Sequence, residues 1–515
     1  MASRRDELNA YTFAKKRTIA AFLQPSPSGT EEGAPRPLRA VVPGLIVGAL
    51  VVAGFGAWGM FKPTAPKGWD TPGTRVIVGK QSTTRYVVLT TGTGKDKKTL
   101  LHPVLNLASA RLLLNPDDFA VIQVADKELD KGDPPRGPIL GIPYAPDRLP
   151  SDKDAGTAKR WAVCEQPGGG NGGGVQKAAF LFAERDLGRT DDKYRLGPAD
   201  VLYVKGQKEG AQYLVDHTGT KYRIDETAKN LTTTLFGEGR QPQQVTDDWL
   251  KTLKTGSTVT YPKVPGVLGA DAGVNGGLSE AQDRIGMVLV AQTGSGPQHY
   301  VVLQGKVRPV SPFTARLIIN STDTADAQLG MNGQASAVDM GQLSPDPARF
   351  GAELRWPEAQ SKLVNSVGGA GARDTVCSVL RSVGDKGRTV LSTWAGTAYP
   401  ADITAGGTST YVTPGTGLLY TQVQGGQAAA GGSLFLVTDT GLRYAVQANG
   451  DSDKSRSGIG AGEQPQGDRR PEPSDAQKRL GYEKVTPVLV PQEWSDFLSK
   501  GPRLDTNSAR QPQGS

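Results

Sequence analysis

"LRAVVPGLIVGALVVAGFGAWGMFKP" occupies residues 38–63. Between Arg39 and Lys62 it carries no charge for 22 residues. As a helix rising about 1.5 Å per residue, Ala40–Phe61 spans roughly 33 Å, against a hydrocarbon core of about 30 Å. A signal peptide, a buried core helix and an uncleaved membrane anchor compete for such a stretch. A signal peptide ends in small residues at its cleavage site, where this stretch has Trp58, Met60 and Phe61. A soluble helix is rarely apolar all round for so long. Gly44, Gly48, Gly54, Gly56 and Gly59 would weaken a soluble helix but are common in membrane helices, and Trp58 stands where an interfacial aromatic belongs. The anchor reading is preferred.

The flanking charge gives an expected orientation. Arg4, Arg5, Lys15, Lys16, Arg17, Arg36 and Arg39 precede the span, and only Lys62 and Lys67 follow closely. The positive-inside rule then leaves the N-terminus in the cytoplasm and exports the roughly 450 residues that follow. Two cysteines, Cys164 and Cys377, both lie beyond the anchor. An even pair in an oxidising compartment suggests one disulfide, the alternative being two buried free thiols. The formal net charge of +8 is spread over a long chain of mixed sign. No basic run is interleaved with aromatics outside the anchor, which argues against nucleic-acid binding.

Four exported segments share one grammar. They are "RYVVLTTGTG" from Arg85, "QYLVDHTGTKYRI" from Gln212, "HYVVLQGKVRPV" from His299 and "LFLVTDTGLRYAV" from Leu434. Each has a β-branched or leucine run followed by a turn with glycine (Gly92, Gly219, Gly305 and Gly441), which predicts a hairpin. "LLHPVLNLASARLLL" from Leu100, "DETAKNLTTTLFG" from Asp225, "VRPVSPFTARLII" from Val307 and "VTPVLVPQEWSDFL" from Val485 read as the matching second halves, each giving a short covering helix. Their spacing is too long and irregular for a solenoid or propeller. The fold class expected is α+β: one transmembrane helix, then a central β-rich domain and four small hairpin-plus-helix repeat units.

The boundaries expected are a cytoplasmic amphipathic helix and linker at 1–39, the transmembrane helix at 40–61 and repeat unit one at 74–125. The first part of the central domain follows at 126–195, repeat unit two at 196–260 and repeat unit three at 285–335. The second part of the central domain is placed at 336–414, with the two cysteines tying the parts together. Repeat unit four is placed at 415–497, with a disordered insertion near 449–479, and a disordered tail at 501–515. "PGGGNGGG" at 167–174 reads as a flexible loop.

No catalytic, cofactor or metal site is expected. "TGTGKDKKT" at 91–99 lacks the GxxxxGK[ST] spacing of a phosphate loop. His102, His217 and His299 are scattered and show no ligand spacing. Asp216 and Asp439, both at hairpin turns, read as turn formers. "SRRDELNAYTFAKKRTIAAFLQ" from Ser3 reads as a helix started by Ser3 with Asp6 or Glu7. It is either a basic helix lying on the inner leaflet or a helix that docks a partner through Leu8, Tyr11, Phe13 and Phe22.

"SRRDELNAYTFAKKR", one anchor starting near residue 40, "GWDTPGTRVIVGKQSTTRYVV" after it and the hairpins together resemble the EccB family, a core membrane component of type VII (ESX) secretion systems of actinobacteria. The resemblance covers nearly the whole chain. It implies a structural, single-pass protein of the cell membrane with an elongated exported portion, which scaffolds the translocation channel and docks partners through its cytoplasmic helix. Members of the family are sometimes labelled ATPases, but with no phosphate loop in this sequence no enzyme is expected. Implied partners are an EccC-like ATPase, EccD-like and EccE-like components and a mycosin, with the lipid bilayer and the cell wall as further contacts. A membrane-anchored cell-wall-binding protein acting alone is the alternative, and an ATPase or hydrolase a third.

Overall fold

A computed structural model describes residues 3–23, 38–60, 65–92, 96–168, 174–368, 371–384, 387–403, 409–424, 432–447 and 473–513. Most of the glycine-rich stretch and most of the 449–479 insertion lie outside these residues. The N-terminal portion is two helices, α1 (Arg4–Leu23) and α2 (Leu38–Met60). The rest is built on five sheets among the described residues, giving the α+β architecture expected.

Four of the sheets follow one path. Three antiparallel strands run in chain order, and a later strand returns parallel to the first of them. The first sheet runs Arg75–Gly79, Arg85–Thr91, Lys98–Pro103, and Ala120–Val124 returns beside Arg75–Gly79. The second runs Asp200–Gly206, Gln212–Asp216, Thr220–Arg223, with Gln243–Val245 returning. The third runs Val288–Thr293, Gly296–Leu303, Lys306–Val310, with Ser336–Ala337 returning. The fourth runs Leu418–Val423, Leu434–Val437, Leu442–Ala445, with Val488–Pro491 returning. A parallel return needs a crossover, and a short helix stands in each: Leu107–Leu113, Leu231–Phe236, Pro312–Ile319 and Asp475–Arg479. Asn106 and Ser311 cap two of them by accepting from the backbone N–H of Ser109 and Thr314.

The four quoted hairpins each fall in a different sheet. Their turn glycines all have positive φ, from 68° at Gly305 to 89° at Gly92. At Gly219 a second constraint adds to the first, because a Cβ there would sit 2.7 Å from Leu391 Cβ of the central sheet.

The central sheet orders Thr389–Gly396, Thr375–Val383, Arg160–Pro167, Val175–Phe182 and Thr410–Val412. One face packs Trp161, Val163 and Leu181 against Leu202 and Trp249 of the second sheet and Tyr420 and Trp494 of the fourth. The fourth sheet turns Leu419, Leu436 and Tyr444 toward a core shared with the first, and the second shares its outer core with Phe313 and Leu317 from the third sheet's helix. The cores therefore order the sheets first, fourth, central, second, third.

Several boundaries differ from those expected. Among the described residues the central sheet draws only on 160–182 and 375–412. Leu101 and Val104 of the first sheet bridge to Arg136 and Leu140, Ser336–Ala337 belongs to the third sheet and Lys362–Leu363 to the second. Return strands of two to five residues pair across long gaps, so no hairpin signal marks them. "VTPVLVPQEWSDFL" forms the return strand Val488–Pro491 and the helix Gln492–Ser495, whereas the crossover helix Asp475–Arg479 falls inside the stretch expected to be disordered. The tail is also folded through residue 513. Leu504, Asp505, Thr506 and Ala509 are buried, and the Gln513 N–H donates to Ile139 O at 2.9 Å. A polar segment is held here by tertiary burial that composition does not reveal.

Candidate interaction surfaces

Among the described residues nothing covers the apolar side chains of α1. Leu8, Tyr11, Phe13 and Phe22 are 66%, 68%, 53% and 91% exposed. At about 100° per residue, Leu8, Tyr11 and Phe22 share one face, while Phe13 is turned roughly 140° from Leu8. Lys15 projects into the Leu8 face, so the helix is only weakly amphipathic and the four candidates do not form a single patch. Ser3 starts the helix as expected, its Oγ accepting from the Arg5 N–H and its N–H donating to Asp6. In α2 the window Val41–Trp58 is long and apolar enough to cross a membrane, and none of it is buried in the protein.

Cys164 and Cys377 are joined by a disulfide between directly opposed positions of two antiparallel strands. Both are fully buried, beside Phe180, Phe182 and Trp394 on the face of the central sheet away from the second and fourth sheets. On the other face, a polar link ties the second sheet to the centre. Glu165 is fully buried and accepts from the Thr246 N–H at 2.7 Å and from the Thr246 hydroxyl. Burial pushes its carboxyl above the usual carboxylate range, the Thr246 bonds and Lys177 opposing and Asp248 reinforcing the shift. Three residues on, the Trp249 indole donates to Val163 O at 3.0 Å. Sequence reading missed Glu165, Thr246 and Trp249. The signal available was the pair "TDDWLK" at 246–251 and "PQEWSD" at 491–496, where an acidic residue precedes a tryptophan after the return strand.

A cleft opens where those two short helices meet the central sheet, lined by Lys177, Asp248, Lys251, Gln492, Glu493 and Phe497 among others. Its charges are largely matched internally. Asp248 takes Lys251 at 2.9 Å and Lys177 at 3.7 Å, and the Lys251 bond foremost holds its carboxyl below the usual range.

The residues considered for chemistry do not converge. Among the described residues no three His, Cys, Asp or Glu side chains are grouped to hold a metal ion. His102 Nδ1 lies 2.9 Å from Pro138 O, and burial lowers the His299 pKa. The basic turn at 91–99 joins two strands of the first sheet, with 93–95 outside the described residues. Asp216 is a turn former, accepting from Thr218 and Thr220 and from the Tyr222 hydroxyl. Asp439 is not its counterpart, because Thr438 follows Val437 as Asp216 follows Val215. Asp439 instead receives the Gly415 N–H at 2.9 Å.

The family model described as type VII secretion system ESX-1, transport TM domain B, matches residues 1–514. Among similar proteins, the "ESX-3 secretion system ATPase EccB3" of Mycolicibacterium smegmatis is 28% identical over 451 residues, covering 83% of this chain and 80% of that protein. Its namesake in Mycobacterium tuberculosis is 27% identical over 501 residues, covering 92% and 82%. Among solved structures, a chain of an intact ESX-5 inner membrane complex aligns with a TM-score of 0.55 at 21% identity, covering 100% of this chain and 96% of that one. A chain of an EccB3 dimer from the ESX-3 core complex gives 0.53 at 24% identity, covering 85% and 99%. At these identities the structural likeness is one of fold.

Proposed function

The chain belongs to the EccB family of type VII secretion proteins, and from that premise we propose that it is a structural membrane component of an ESX secretion complex. The observation that carries the reading is the extent of the family match, which runs from α1 through α2 and all five sheets. In this reading α2 spans the membrane, α1 lies in the cytoplasm and the sheets stand outside, in keeping with the basic residues ahead of α2. The four meander sheets are four copies of one unit, arranged in pairs about the central sheet, and their shared strand path supports this. The partners are the EccC-like ATPase, the EccD-like and EccE-like components and a mycosin, with α1 as a docking element.

The relatives carry ATPase in their names. We assign this chain no nucleotide chemistry, since its glycine- and lysine-bearing turn joins two antiparallel strands instead of leading from a strand into a helix.

Extraction of the tagged protein in a mild detergent tests the reading. A stoichiometric assembly with the ATPase component is expected, and a protein that migrates alone from such membranes refutes it. Orientation is tested separately in a Cys164→Ala/Cys377→Ala background with Val267→Cys, a position 75% exposed. A membrane-impermeant thiol reagent should label intact cells, and labelling only after lysis reverses the topology.

A further inference from the structure

Three of the four return strands are covered by other parts of the chain or reduced to a pair of residues. Beside Gln243–Val245 the central unit supplies Glu165 to the Thr246 N–H and Asp374 O to the Gln243 amide. Val490 and Pro491 of the fourth sheet are buried against the centre. The third sheet's return is only Ser336–Ala337.

Ala120–Val124 in the first sheet is different. It runs for five residues and pairs with Arg75–Gly79 on one side. In this parallel register Ala120, Ile122 and Val124 face the partner strand, as the Lys80 N–H to Val124 O bond shows. The N–H and C=O groups of Val121 and Gln123 therefore point away from the sheet, and no hydrogen bond reaches them among the described residues. Val121 is 54% exposed. Exposed edges are ordinarily guarded by lysine, proline or a bulge, and "AVIQV" has none of these. Just ahead of it stand Asp117 and Asp118, both exposed. No cation pairs with either among the described residues, and Asp118 receives only the Asn115 amide at 3.1 Å.

We propose that the free edge of Ala120–Val124 docks an extended segment of another polypeptide as an added β-strand, with basic residues opposite Asp117 and Asp118. Main-chain bonds at Val121 and Gln123 give the affinity, and the two aspartates select by charge. The added strand runs antiparallel, the more stable ladder per residue, which puts its basic residues at its C-terminal end. The proposal does not depend on the secretion reading.

The test uses the full chain in detergent and a labelled peptide, acetyl-Thr-Val-Thr-Val-Thr-Arg-Arg-amide. Val121→Pro removes an N–H that the fold does not use, so the melting temperature should hold while peptide affinity falls more than tenfold. Val121→Thr keeps the N–H and should bind as the parent does. Asp117→Asn with Asp118→Asn should weaken binding several-fold and flatten its salt dependence. The same peptide N-methylated at alternate residues should not bind, a control that holds even if Val121→Pro disturbs the fold. Binding of the methylated peptide, or undiminished binding to a folded Val121→Pro variant, overturns the proposal. So does a protein that ignores the peptide but loses self-association with Val121→Pro, which would make a second copy the occupant.

Discussion

Removing the disulfide should separate the stability of the centre from that of the whole array. Cys164 and Cys377 are 213 residues apart in sequence, and the second and third sheets both lie inside the loop they close. In the chain-entropy account, a loop of that size restricts the unfolded state by about 5 kcal/mol. The sulfurs are fully buried, so Cys164→Ala/Cys377→Ala also leaves a small void, which adds to the loss. How this appears in a melt depends on the size of the cooperative unit. At about 2–4 °C per kcal/mol for 150–250 residues, a centre that melts with one neighbouring sheet should fall by about 10–20 °C. If the roughly 450 residues beyond α2 melt together, the entropy per residue limits the fall to about 5 °C. The assay is calorimetry of the full chain in detergent, parent against double variant, with peptide mapping to confirm the bond in the parent. A variant that melts within 1–2 °C of the parent would refute the argument. A large fall confined to one of several transitions would identify the centre as a separate unit.

Glu165→Gln keeps the shape of the Thr246 link but cannot ionise. Because burial raises the folded-state pKa of Glu165, its favourable contribution is complete below the unfolded value and is lost as pH rises through the folded one. The variant should therefore gain melting temperature over the parent as pH rises from about 4 to 7; a pH-independent difference would show that Glu165 is not the group concerned. Trp249→Phe should cost about 1 kcal/mol more than Trp494→Phe in denaturant unfolding, because of these two tryptophans Trp249 alone has an indole bond among the described residues, to Val163 O. Equal costs would mean that this bond adds nothing to the packing. Tyr11→Ala/Phe13→Ala leaves the five basic residues of α1 in place and should reach the membrane but lose co-purification with the other secretion components. Normal assembly of that variant, with failure of one lacking Arg4, Arg5, Lys15, Lys16 and Arg17, would make α1 a lipid-surface element.

Local signals were legible and non-local ones were not. The hairpins at Gly219, Gly305 and Gly441 could be read because strand, turn and partner strand lie within about a dozen residues, as the commonest hairpin loops require. The cysteine pair could be read because two cysteines admit one pairing. Ala120–Val124, Gln243–Val245 and Lys362–Leu363 could not, since each is short and finds its partner strand across a helix or a whole sheet. Leu504 and Ala509 were lost in a polar tail because their burial depends on the first and fourth sheets. The free edge at Val121 needed the pairing register, which no composition carries.

The chain path explains where these long-range contacts had to fall. Leaving the first sheet, the chain crosses the central sheet at Arg160–Phe182, builds the second and third sheets, recrosses the centre at Thr375–Val412, and builds the fourth. It then returns to the first sheet, where the Gln513 amide donates to Gly141 O at 2.8 Å. The array is thus an out-and-back path, and the disulfide joins the outgoing crossing to the returning one. On the far side of that bond, Lys362–Leu363 pairs in passing with Asp200–Val201 of the second sheet. On the near side, the fourth sheet and the tail lie against the first. The third sheet, at the turning point, draws all its strands among the described residues from one stretch, 288–337. The stretch that carries the free edge is at the opposite end, in the sheet that directly follows α2, so a strand added at Ala120–Val124 would be held at the α2 end of the array and away from its turning point.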